Sequence, residues 1–82
     1  MPVGRIERIV DGVVVQTVER AKRGKHAGKY VCDPPGTNDR GVPFDTLDEV
    51  AAYLRANPRA GVRMHPGKSK ISENIHIDGA PL

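Results

Sequence analysis

Residues 45–58 read DTLDEVAAYLRANP. Leu47, Val50, Ala51 and Leu54 recur at i, i+3, i+4 and i+7, so one face of a helix here is apolar. Thr46 and Glu49 have the spacing of a capping box, in which each side chain satisfies an amide of the other's turn. Asp48 and Glu49 occupy the first turn and Arg55 the last, as the helix dipole favours. Pro58 disfavours helical backbone at Asn57. The stretch predicts a helix over about 46–57, with Phe44 packed beside its apolar face.

A single apolar stripe must be buried against another layer, and the rest of the chain supplies strands. Residues 13–18, VVVQTV, are β-branched apart from Gln16. RIERIV precedes them, with Asp11-Gly12 between, the chemistry of a two-residue turn with positive φ at both positions. A short strand is expected at residues 29–32. Farther on, Val62 and Met64 alternate with Arg63 and His65. Ile71, Ile75 and Ile77 alternate with Ser72, Asn74, His76 and Asp78. This period of two predicts a second hairpin with one buried face. The expected architecture is α+β: an antiparallel sheet of four to five strands, two hairpins plus a short middle strand, with one helix packed on one face. The 82 residues form one small domain, 1–82.

Two segments stand outside these elements. Residues 33–43 form a Pro/Gly-rich loop, since Pro34 and Pro35 remove backbone donors and Gly36 permits a turn. Residues 21–29 form a basic loop, weakened as regular structure by Gly24 and Gly28 and holding nothing apolar larger than alanine.

The net charge of +3 is mild, but its distribution is uneven. Residues 20–29 sum to +5 and residues 59–70 to +4, and neither block contains an acid. The remaining segments are each slightly negative. Two acid-free blocks fit an anionic partner, because lysine and arginine can neutralise successive phosphates. Lys22, Arg23, Lys25 and Lys29 are the candidate backbone contacts, with Arg63, Lys68 and Lys70 as a second patch. Arg63 can grip a phosphate with two parallel hydrogen bonds, and Asn74 can reach a base edge from the outer sheet face. Without interleaved aromatics the blocks suit duplex DNA or structured RNA better than single strands.

Other chemistries have little support. Cys32, His65 and His76 match no zinc spacing, so no metal is expected. Cys32 stands beside Asp33, which raises rather than lowers a thiol pKa. Residues 67–70, GKSK, lack the upstream glycine and following helix of a phosphate-binding P-loop. Neither an enzymatic activity nor a cofactor is predicted. One cysteine cannot form an intramolecular disulfide, which fits a reducing compartment. No apolar run approaches the ~20 residues that span a bilayer, and the first ten residues lack a secretory signal pattern. The expected setting is cytoplasmic, away from membranes. The leading expectation is a small non-enzymatic nucleic-acid-binding protein. The alternative is a protein-interaction module whose partner is another protein or a second copy, met through the Pro/Gly loop or an edge strand.

Overall fold

A computed structural model describes residues 2–37, 40–67 and 72–82. Two antiparallel sheets share one helix. The chain runs β1 (Ile6–Val10), β2 (Val13–Val18), β3 (Tyr30–Asp33), β4 (Val42–Phe44), α1 (Leu47–Ala56), β5 (Gly61–Val62), β6 (Met64–His65), β7 (Ile75–Ile77) and β8 (Ala80–Pro81). The larger sheet has the order β6-β2-β1-β7-β8, and the smaller β4-β3-β5.

The helix forms as its sequence requires. The Thr46 hydroxyl accepts from the Glu49 amide at 3.2 Å, and Glu49 Oε1 accepts from the Thr46 amide at 3.1 Å. Val50, Ala51 and Leu54 are wholly buried. They join Ile6, Val18, Cys32, Val62, Met64, Ile75 and Ile77 in one apolar cluster that draws on both sheets. Phe44 and Tyr53 close its rim, ring centroids 5.2 Å apart. Among the described residues, no helix is long and apolar enough to cross a membrane.

The first hairpin also forms as expected. Asp11 and Gly12 take φ of 52° and 77°, joining β1 to β2. The fold class is α+β, but the arrangement departs from the expected single sheet in two respects. First, β6 and β7 do not pair with each other. They flank the first hairpin on opposite edges, β6 against β2 and β7 against β1. Alternation marks a strand and its buried face but is silent about the partner. Here a polar chain fixes the choice: Arg8 Nη1 donates to Gln16 Oε1 at 2.9 Å, and Gln16 Nε2 donates to the Pro66 carbonyl at 2.7 Å. Gln16, buried at 5% exposure, thus ties the exit of β6 to β2.

Second, the extended run at residues 61–65 is divided between the sheets. Val62 pairs with Cys32 of β3, whereas Met64 pairs with Val18 of β2. The switch occurs at Arg63, whose amide donates to the Val31 carbonyl at 3.0 Å. A strand that changes sheets makes a corner. Because Val62 and Met64 are buried on either side, pleating turns the Arg63 side chain away from the core.

Candidate functional site: a basic cleft at the sheet corner

The basic loop is folded rather than loose. The Ala21 amide donates to the Lys29 carbonyl at 2.8 Å, and the Gly28 amide to the Ala21 carbonyl at 2.7 Å. Inside this closure Ala27 donates to Gly24 and Lys29 to His26. Gly24 and Gly28 take φ of 88° and 85°, which side chains rarely tolerate. Arg20 lies 4.4 Å above the Tyr30 ring and donates to the carbonyls of Gly28 and Asp45. Lys29 pairs with Asp45. That hydrogen bond and charge hold the Asp45 carboxyl below the usual carboxylate range. The pair's contribution is full above the ordinary carboxylate pKa and is lost as pH falls through the lowered folded-state value. Arg20 and Lys29, two of the five cations in residues 20–29, therefore anchor it, and Lys22, Arg23 and Lys25 remain exposed.

The anchored loop faces the side of the smaller sheet opposite the helix. Val31 is 1% exposed yet lies outside the apolar cluster around the helix. Gly41, just before β4, lies against it. A Cβ on Gly41 would stand 2.7 Å from Val31 Cγ1, 3.7 Å from the His26 ring and 3.8 Å from Arg63 Nη2. These neighbours bound a cleft of about 420 Å³, lined by Ala21, Arg23, Gly24, Lys25, His26, Arg40, Gly41 and Arg63. Four of the lining side chains are cations and none is a carboxylate. Among the described residues, Arg23, Lys25, Arg40 and Arg63 have no ion-pair partner, and the Arg63 Nε is buried without a hydrogen bond.

Because Gly41 has no space for a side chain, Gly41→Ala is expected to displace Val31 and spoil the cleft wall. Overpacking of this kind costs about 1–3 kcal/mol. A lowered denaturant midpoint checks it, and an unchanged one contradicts the close approach.

Asp33 lies one register step from Arg63 on the same sheet face, since it pairs with Gly61 while Val31 accepts from Arg63. It is 0% exposed and neither carboxylate oxygen has a hydrogen bond. Asp33→Asn is expected to raise stability, because an unpaired charge is costlier to bury than a neutral amide. Chemical denaturation checks this, and lower stability would contradict the account.

The expected site residues are distributed unequally. Arg23, Lys25 and Arg63 come together in the cleft. Lys22 is exposed but outside its lining, and Lys29 is committed to Asp45. Lys68 and Lys70 lie outside the described residues. Asn74 is not brought together with Arg63. It precedes β7, which β2 and β1 separate from β6, three strand spacings or about 14 Å. Asn74 has φ 57°, and its carbonyl accepts from the Ile9 amide at 3.0 Å. Ser72, expected on the outer sheet face, instead donates to the Pro58 or Ala60 carbonyl behind the helix.

His65 and His76 do share the outer face of the larger sheet. The cross-strand pairs place Thr17 and Glu7 between them, so they cannot act together on one small ligand. Among the described residues, no three His, Cys, Asp or Glu side chains gather where they could hold a metal ion. Cys32 is buried in the core, and burial, with the neighbouring Asp33 charge, pushes its thiol up to about 12.

Arg40 and His26 were not among the expected site residues. Arg40 is one of only two cations, with Arg55, in the net-acidic stretch 30–58, so charge blocks hide it. His26 lies within the basic loop, where only cations were counted. No family model, curated protein or solved structure matches the chain.

Proposed function

We propose that this protein binds nucleic acid, holding phosphate in the basic cleft at the sheet corner. The supporting observation is the convergence of Arg23, Lys25, Arg40 and Arg63 on one cavity without a carboxylate in its lining. Like charges gathered this way repel one another until an anion enters. Arginine suits the task because its planar fork matches phosphate oxygens, and three of the four are arginines. The outer face of the larger sheet is a poorer platform, because Glu7 stands in its middle row and repels phosphate. Duplex DNA or structured RNA fits better than a single strand, since no Phe, Tyr or Trp ring lines the cleft.

The test is the salt dependence of binding to a random-sequence duplex, followed by fluorescence anisotropy. Each neutralised phosphate adds about −0.9 to the slope of log affinity against log salt. The expected slope is about −3, from three to four contacts. Absence of binding even at low salt would overturn the proposal.

A second reading has one observation in its favour. Beyond β6, the edge of β2 carries three consecutive exposed valines, Val13, Val14 and Val15, at 59%, 49% and 38% exposure. Such an edge can accept another strand. Self-association through it would rise with concentration in light scattering and disappear in Val14→Lys. A monomer at every concentration would remove this reading.

A further inference from the structure

We infer that the cleft recognises the end of a nucleic-acid strand, taking up a terminal phosphomonoester in preference to an internal phosphodiester. The inference rests on the nucleic-acid reading above and deepens it.

The shape of the site is the first reason. Its cations are not strung along a ridge, as a surface tracking a continuous backbone requires. They come from three separate segments, the loop at residues 23–25, Arg40 and Arg63, and together they line one concavity. A cube of about 420 Å³ has an edge of about 7.5 Å. That admits a phosphate and part of its sugar. The flank of a duplex is convex, so its internal phosphates, each pinned between two sugars, meet the rim of the cleft, whereas a terminal group can enter it.

Charge is the second reason. An internal diester carries a single negative charge, whereas a monoester carries about −1.5 to −2 near neutral pH and offers three strong acceptor oxygens. Four cations converging on one cavity are matched by the more highly charged group. The third reason is Arg63. It is half-buried at the sheet corner, its Nε lies inside without a partner, and its Nη2 sits beside Gly41, which has no side chain to block approach. A half-buried guanidinium with no internal partner can present its fork to two oxygens of one terminal group.

The same chemistry is offered by a free nucleoside monophosphate, and the experiment separates the two sources. One labelled duplex is prepared with 5′ phosphates, with 3′ phosphates, or with hydroxyls at all ends. Affinities are measured at moderate salt, with adenosine monophosphate as competitor. The expected result is at least tenfold tighter binding of one phosphorylated duplex over the unphosphorylated one. Arg63→Lys, which keeps the charge and loses the fork, should shrink that preference, whereas Arg55→Lys, at an exposed position outside the cleft, should leave it unchanged. Equal affinity for all three duplexes would overturn end recognition and leave nucleic-acid binding standing. Binding of none would overturn both. Adenosine monophosphate binding as tightly as the phosphorylated duplex would show a free-nucleotide site and overturn recognition of strand ends.

Discussion

The double variant Arg23→Glu/Arg63→Glu is expected to bind a random-sequence duplex at least a hundredfold more weakly than the parent at low salt. Two attractive contacts become two repulsive ones within a single cavity. The slope of log affinity against log salt should flatten by about 2, since roughly 0.9 is lost per phosphate contact. The fold should survive, because Arg23 is exposed and Arg63 points away from the core between buried Val62 and Met64. The control is Arg55→Glu/Arg59→Glu, which alters net charge equally at two exposed positions that do not line the cleft. It should weaken binding less than tenfold. If both double variants lose affinity equally, overall charge rather than the cleft governs binding.

Leu54→Ala is expected to leave the protein largely unfolded at room temperature. Leu54 is 0% exposed and ends the stripe that α1 presents to the core. Truncating a buried leucine costs about 2–5 kcal/mol, through lost transfer energy and the cavity left behind. A domain of this length gains only about 3–5 kcal/mol in total from one core. The neighbouring exposed Arg55→Ala should stay within about 0.5 kcal/mol of the parent. Chemical denaturation followed by circular dichroism distinguishes them. A loss below 1 kcal/mol for Leu54→Ala would mean that the helix does not seal the core as described.

Local signals in the sequence carried over to the structure where the physics is local. The capping box at Thr46 and Glu49 and the Asp11-Gly12 turn depend on neighbouring residues alone, and both form. Alternation correctly assigned Val62, Met64, Ile75 and Ile77 to the core. It did not reveal that Val62 and Met64 serve different sheets, because strand pairing is settled by contacts distant in sequence. A second Asp-Gly turn, Asp78-Gly79, joins β7 to β8 with φ of 50° and 87°. Its chemistry matches that of the first turn, but only two residues follow it in β8, too few to show a periodic pattern.

The candidate site was legible in part for the same reason. Charge blocks drew attention to Arg23, Lys25 and Arg63, but Arg23 and Arg63 are forty residues apart, and only the corner at Arg63 brings them together. Lys29 looked like a phosphate contact because its partner, Asp45, is remote in sequence and begins the helix stretch. Arg40 looked like part of a turn because its neighbours are proline, glycine and aspartate. Whether a cation is available or already engaged depends on tertiary pairing, which composition does not carry.

The most direct measurement is an amide-resonance titration of the isotope-labelled protein with a random-sequence duplex, at low and then moderate salt. Shifts concentrated at residues 23–26, 40–41 and 63, fading as salt rises, are the predicted result. Shifts centred instead on the outer sheet face around Thr17, His65 and His76, or no shifts at low salt, would contradict the cleft as the binding site.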